Sequence, residues 1–220
     1  MKRINLVAGG IILSVVLFAC NQTPKPTTEE KKAVSTTEQT IENLKAAITG
    51  ESNASAKYTA FSKAAETAKM PNIAKLFAAA AQAELIHVSN HRAVLKNLGV
   101  EGFEPVIEEH VADKDMVKNL ENAIAGETAE FTTMYPSFIE TANGEKVPDA
   151  AKSFEFAMKA EKRHAEHYQA ALDILKADKN DKKVSKEWYL CPICGELTPT
   201  IVGMSFCSIC GEKTEEFKKF

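Results

Sequence analysis

The chain has 220 residues, room for one medium domain and a small one, and 45% of them are hydrophobic, which excludes a chain disordered throughout. A formal net charge of -3 gives no basis for a nucleic-acid partner. Four of the five cysteines crowd between Cys191 and Cys210, which excludes a disulfide framework spread over the fold.

Lys2 and Arg3 precede an apolar run from Ile4 to Ala19, the pattern of a secretory leader. The run is shorter than the roughly 20 residues that a helix needs to span a bilayer. It ends in Leu17-Phe18-Ala19-Cys20, which resembles the lipobox of bacterial lipoproteins. That resemblance implies a signal peptide over residues 1–19, a lipid on Cys20, and a membrane-anchored protein outside the cytoplasm, on the periplasmic or cell-surface side. The alternative is an uncleaved signal anchor, with the bulk of the chain on the same side. Residues 20–35, rich in Thr, Pro and charge, read as a flexible tether.

Four helices are expected over residues 36–178. The first runs from Thr36 to about Lys69, with Thr36 and Gln39 at capping-box spacing and Leu44, Ile48 and Tyr58 on one face. Met70-Pro71 breaks it, and Pro71 opens the second helix, which ends near Leu98 at Gly99. The third starts near Asp113 and ends at Asn143-Gly144, with a kink expected at Pro136. The fourth runs from about Pro148 to Lys176. Short turns join the first pair and the second pair, while Val100 to Ala112 is long and glutamate-rich and reads as a solvated crossover. Two hairpins joined by one long crossover make the ferritin-like variant of an all-α four-helix bundle.

The two halves repeat. Ala47-Ile48-Thr49-Gly50-Glu51 recurs as Ala123-Ile124-Ala125-Gly126-Glu127, 76 residues on, and Ala83-Glu84-Leu85-Ile86-His87 recurs as Ala160-Glu161-Lys162-Arg163-His164, 77 residues on. Glu51, Glu84, Glu127 and Glu161 all fall at helical spacing from apolar residues, on faces expected to be buried. Each Glu-x-x-His sets both side chains toward one point. Four unpaired buried carboxylates would cost several kcal/mol each, so cations are expected among them. One Glu from each of two helices and a Glu-x-x-His from each of the other two is the donor set of di-iron and di-manganese bundles. Here these are Glu51, Glu127, Glu84/His87 and Glu161/His164. Glu130, three residues after Glu127, has Ala54 at the matching place of the first half. His91, His110 and His167 lack such a pattern and read as surface residues or supports behind the ligands.

Residues 186–220 read as a separate small domain. Cys191-Pro-Ile-Cys194-Gly and Cys207-Ser-Ile-Cys210-Gly are two knuckles that gather four thiolates around zinc or iron. Trp188, Phe206 and Phe217 are the candidates for its core, and a domain this small depends on its metal to fold.

Gly-Glu-Ser, Glu-x-x-His, Gly-Glu-x-x-Glu followed by Met134-Tyr135-Pro136, and Glu-Lys-Arg-His together resemble the motifs of rubrerythrins, over nearly all of residues 40–220. The resemblance implies two irons in the bundle and a rubredoxin-like Fe(Cys)4 centre at the knuckles. It implies that Glu130 binds one iron in the oxidised state and His87 replaces it on reduction, with Tyr58 and Tyr135 hydrogen-bonded near the site. It also implies reduction of hydrogen peroxide to water, with electrons relayed by the knuckle iron, typically across a head-to-tail homodimer. Glu196 departs from the aromatic residue usual in that family. The electron donor is unknown from sequence. A ferritin-like iron-binding or ferroxidase protein with a structural zinc knuckle is the alternative, and a di-metal sensor is a third reading.

Overall fold

The computed structural model describes residues 36–220; the expected signal peptide, Cys20 and the tether lie outside the described residues. Five α-helices make four rods: α1 (Glu38–Thr67), α2 (Pro71–Asn97), α3 (Met116–Ala129), α4 (Tyr135–Gly144) and α5 (Pro148–Asp178). A π-helical turn, Glu130–Met134, joins α3 to α4, so these two form the third rod. A π turn stands just before Pro136, where the kink is expected. Pro136 falls in the first turn of α4, where a missing N–H costs least. Among the described residues, no helix is long and apolar enough to cross a membrane.

Both hairpin turns use one device. Lys69 (φ 58°) and Lys146 (φ 62°) take the left-handed conformation, and the next N–H reaches back five residues: Met70 to the Ala65 carbonyl at 2.9 Å, Val147 to that of Ala142 at 2.8 Å. Pro71 and Pro148 then start the following helices. Gly99 (φ 84°) ends α2 in the same way, with Val100 N–H on the Leu95 carbonyl at 3.1 Å. The crossover exposes its glutamates to solvent, as expected, but it is pinned: Arg92 donates to the Phe103 carbonyl (2.6 Å) and Asn53 to that of Val106 (2.9 Å).

Two helix starts differ from the sequence expectation. α3 begins at Met116, where Asp115 accepts from Val117 N–H at 3.0 Å. The Thr36/Gln39 capping box does not form. Glu145, just past α4, takes its place by accepting from the backbone N–H groups of Gln39 (3.2 Å) and Thr40 (2.8 Å). A distant carboxylate satisfies the free donors and meets the positive end of the helix dipole.

The apolar interior is divided. One cluster holds Tyr58, Phe61, Ile73, Phe77, Leu120 and Tyr168; the other holds Leu44, Ile48, Leu95, Tyr135, Ala142 and Phe154. Along every rod the switch falls at the carboxylates and histidines: Ile48 and Ala54 flank Glu51, Ala83 and Val88 flank Glu84 and His87, and Ala157 and Tyr168 flank Glu161 and His164. A polar layer therefore sits across the middle of the bundle.

The small domain adds a three-stranded antiparallel sheet, β1 (Tyr189–Leu190), β2 (Leu197–Thr198) and β3 (Lys218–Lys219), in the order β2-β1-β3. Trp188 and Phe217 are buried, but Phe206 is 60% exposed, contrary to expectation. The small domain needs no third aromatic of its own, because Trp188, Leu190 and Leu197 pack into the bundle cluster that contains Leu76 and Leu172.

Burial works against ionisation of Glu145, but the hydrogen bonds from Thr40 and Gln39 prevail and hold its carboxyl below the usual range. Its contribution is therefore fully present above that range and lost as pH falls through the lowered value. Glu145→Ala is expected to cost about 1 kcal/mol at neutral pH. The loss should shrink in acid, as measured by urea unfolding at pH 7 and pH 3.

Candidate metal centres

Glu51, Glu84, Glu127, Glu161 and His164 have no solvent exposure, and His87 has 1%. Their donor atoms form two groups. Glu51, Glu84, His87 and Glu161 make one; Glu84, Glu127, Glu161 and His164 make the other. Glu84 and Glu161 belong to both, so they stand between two cation positions, with one single glutamate and one histidine at each outer end. His87 Nδ1 lies 2.7 Å from Glu161 Oε1 and 3.1 Å from Glu84 Oε2. His164 Nδ1 lies 2.7 Å from Glu161 Oε2 and 3.7 Å from Glu84 Oε1.

The pseudo-twofold symmetry expected from the repeat is present in the hydrogen bonds. Tyr58 of the first half donates to Glu127 Oε1 of the second at 2.6 Å, and Tyr135 of the second half donates to Glu51 Oε1 of the first. The spacing is not identical: Glu51 precedes Tyr58 by seven residues, while Glu127 precedes Tyr135 by eight. The π turn absorbs the additional residue, which is why the repeat offset changes from 76 to 77. Such turns are one-residue insertions that collect at functional sites. Glu130 is the first residue of this one.

Glu130 belongs to neither donor group. Glu130 is half-buried. That burial, together with the charges of Glu161 and Glu84, pushes it up to about 8. Burial and neighbouring carboxylates likewise raise Glu51, Glu84 and Glu127. Burial opposes protonation of His87 and His164, but Glu161 outweighs it and raises both. The two histidines in turn pull Glu161 down against its own burial. Without a cation, protons do this balancing.

The donor set fits two metal ions. Both oxygens of Glu84 and of Glu161, Oε2 of Glu51 and Glu127, and Nδ1 of both histidines are buried with no hydrogen-bond partner. Groups of this kind left bare would each cost several kcal/mol. Metal coordination satisfies them all at once.

The four cysteines also converge, with Cys191 Sγ 3.5 Å from Cys210 Sγ and Cys194 Sγ 3.5 Å from Cys207 Sγ. Metal–sulfur bonds of about 2.3 Å in a tetrahedron set an edge of about 3.8 Å, so the cluster has the size for one iron or zinc. Each knuckle is closed by a glycine with positive φ, Gly195 (77°) and Gly211 (79°), whose N–H groups bond to the carbonyls of Cys191 and Cys207. Glu196, in place of the family aromatic, is buried and accepts from Cys207 Sγ (2.9 Å) and Ser208 Oγ (2.8 Å).

The two centres touch through the first knuckle. His87 Nε2 meets the Cys194 carbonyl at 3.0 Å, and His164 Nε2 meets the Gly195 carbonyl at 3.0 Å. A carbonyl only accepts, so Nε2 carries a proton in both rings and Nδ1 is the nitrogen left to bind a metal. The knuckle thereby fixes the tautomer that metal binding requires. Gly195 is needed for more than its φ: a Cβ there would stand 2.4 Å from His87 Nε2. His167 Nε2 donates to the Leu197 carbonyl (2.9 Å), and Asn90 to that of Ile193 (2.8 Å). Residue spacing could not reveal these contacts.

His91 is fully buried behind Tyr135, not at the surface. It stands 77 positions before Tyr168, so extending the repeat would have marked it as an interior residue. His110 lies away from the site, 3.2 Å from Asn53 Oδ1.

Raised carboxyl and imidazole groups contribute stability to the metal-free protein that is lost as pH rises through their folded values. The metal-free form is therefore expected to melt at a lower temperature at pH 8 than at pH 6. Metal loading should remove most of that slope, as followed by circular dichroism at 222 nm.

The Rubrerythrin family model matches residues 42–172. Rubrerythrin-2 of Clostridium acetobutylicum is 37% identical over 181 residues, covering 82% of this chain and 96% of that protein. Nigerythrin of Nitratidesulfovibrio vulgaris is 39% identical over 183 residues, covering 82% and 86%. A solved structure of nigerythrin in its fully reduced, all-ferrous state superposes with a TM-score of 0.74 at 38% identity, covering 82% of this chain and 86% of that one. An open-pore ferritin from Archaeoglobus fulgidus shares the fold alone, at 15% identity and a TM-score of 0.59. With the family model spanning more than half the chain, and with a bundle, two donor groups and a four-cysteine knuckle laid out as its motifs imply, the chain belongs to the rubrerythrin family.

Proposed function

We propose that the protein reduces hydrogen peroxide to two waters, consuming two electrons and two protons, as an oxidative-stress defence. The observation that carries this reading is the pair of 3.0 Å hydrogen bonds from His87 and His164 to carbonyls of the first cysteine knuckle. Such bonds orient the histidines of any metal site; what storage or ferroxidase chemistry does not require is the four-cysteine centre at their other end. Iron held by the bundle's glutamates and histidines would supply two electrons and Lewis-acid polarisation, and iron held by the four cysteines would supply single-electron transfer.

The protein's own groups define the rest. Glu84 and Glu161 hold both ion positions together, and Glu51 and Glu127 close the outer ends, each steadied by a tyrosine of the opposite half. Glu130 waits outside both donor groups, its carboxyl raised by burial and by the charges of Glu161 and Glu84. This is the place for a ligand engaged in one oxidation state and released in the other, with His87 as its counterpart. The family resemblance implies a homodimer or higher assembly with the relay crossing between chains. In this structure the chain's own knuckle lies against His87 and His164.

The same proposal extends to location. The sequence up to Cys20 supports an exported lipoprotein, tethered outside the cytoplasm and supplied by an electron donor of that compartment. Labelled palmitate should be incorporated into the wild type and not into Cys20→Ser; no label in the wild type would replace the lipid by an uncleaved signal anchor.

Anaerobic preparation of the chain without its leader should yield three irons and peroxide consumption with a suitable reductant. Zinc at the cysteines would remove the relay, and iron without peroxide consumption would favour the ferroxidase alternative. Glu130→Ala should keep two bundle irons and still react with peroxide, but cycle more slowly by about tenfold or more. Behaviour equal to wild type in both half-reactions would remove the exchange of Glu130 and His87. Gly195→Ala should push the knuckle off His87 and slow the refilling step.

A further inference from the structure

Among the rings around the two site tyrosines, the pseudo-twofold symmetry fails at one position, and the failure opens a path. Around Tyr58 stand Phe61, Phe77 and Tyr168; around Tyr135 stand Phe138, Phe154 and His91. These residues pair by the 77-residue offset, Tyr58 with Tyr135, Phe61 with Phe138, Phe77 with Phe154, and Tyr168 with His91. Three pairs keep their chemistry and the fourth does not. Tyr168 buries its hydroxyl with no partner, so the chain on that side stops at Tyr58. His91 bonds at both ring nitrogens: Nδ1 to Ser153 Oγ at 2.8 Å and Nε2 to Tyr135 Oη at 3.2 Å.

The direction of these bonds follows by elimination. Tyr135 gives its only hydroxyl proton to Glu51 Oε1, so its oxygen accepts from His91. His91 therefore carries its proton on Nε2, and Nδ1 accepts from Ser153. Every donor in the series Ser153, His91, Tyr135 points toward Glu51. Ser153 in turn lines a surface groove with Asn90, Asp149, Lys152, Phe156 and Ile193, the last contributed by the first knuckle.

We propose that Ser153, His91 and Tyr135 form a proton relay from this groove to the Glu51 end of the metal site. The inference rests on the peroxide reading, which consumes protons inside a closed bundle. In one passage, groove water gives a proton to Ser153 Oγ, and Ser153 gives its own to His91 Nδ1. The Nε2 proton moves to the Tyr135 oxygen, and the Tyr135 proton passes to Glu51 Oε1. One proton enters, one is delivered, and no electron moves. The ring ends with its proton on Nδ1 and must return to its first tautomer before the next passage, so protons are delivered singly. Burial first, and the nearby His87 second, lower His91 to about 3. The ring thus stays neutral and works by exchanging tautomers.

Two measurements test the relay. In the first, the diferrous protein is mixed with one equivalent of peroxide in H2O and in D2O. Ser153→Ala and His91→Phe are expected to slow oxidation by about tenfold or more, within the range of general acid catalysis, with iron content unchanged. Ser153→Thr, which keeps the hydroxyl, should restore the rate, and Tyr168→Phe should match wild type. Wild-type rates and isotope effects in Ser153→Ala would overturn the relay. The second measurement uses the zinc-loaded protein, without turnover. Nitrogen NMR should show His91 neutral and protonated at Nε2, with that proton exchanging with water faster in wild type than in Ser153→Ala. Equal exchange would overturn the relay. A wild type that peroxide does not oxidise would overturn the peroxide reading instead, and the exchange measurement then decides the relay alone.

Discussion

Four glutamates crowd into two overlapping groups, without solvent exposure, in the middle of a bundle otherwise lined by alanine, leucine and aromatic rings. Their mutual repulsion and lost hydration are the constraint around which the molecule is organised. Burial raises three of them, and the fourth, Glu161, stays low only because two histidines share it. The arrangement is unfavourable unless positive charge joins it, as protons in the metal-free protein and as metal ions in the loaded one. The interior is consequently two apolar clusters with a charged layer between them, and the metals are part of what holds the four rods together.

The knuckle domain meets the same constraint from outside. It places two carbonyl acceptors on the far nitrogens of the histidines, which fixes their protons there and leaves the near nitrogens as ligands. It also shares an apolar cluster with the bundle through Trp188, Leu190 and Leu197, so its position over the site is held by packing as well as by hydrogen bonds. Approach this close is possible because position 195 has no side chain. The four-cysteine centre and the carboxylate site are therefore linked through backbone and imidazole, with no mobile carrier between them.

Symmetry accounts for the rest, and its breaks carry the chemistry. Two like hairpins supply equivalent ligands and equivalent tyrosines. A single inserted residue in the second half produces the π turn and sets Glu130 beside the site without a counterpart. A histidine in place of a tyrosine connects one side of the site to the surface, while the other side ends at an unpartnered hydroxyl. In the proposed peroxide reduction, such differences would let substrate and protons reach the nearly symmetric pair of ions from one side.

Much of this was legible in the sequence. Glu51, Glu84, His87, Glu127, Glu161 and His164 declared themselves because helical spacing and an internal repeat converge on one chemistry, and the four cysteines because two Cys-x-x-Cys-Gly turns are a local geometry. Helix ends set by Lys69-Met70-Pro71 and Gly99 were also local. The cap on α1 was not, since Glu145 comes from more than 100 residues away; nor was the exposure of Phe206, whose expected place is filled by packing against the bundle. The joining of Cys194 and Gly195 to the histidines, and of Ser153 and His91 to Tyr135, depends on backbone and side-chain atoms from separate rods meeting at hydrogen-bond distance. Residue type and spacing determined which groups bind metal; only the packing of the rods and the docked knuckle decided which nitrogen faces it and what reaches it from outside.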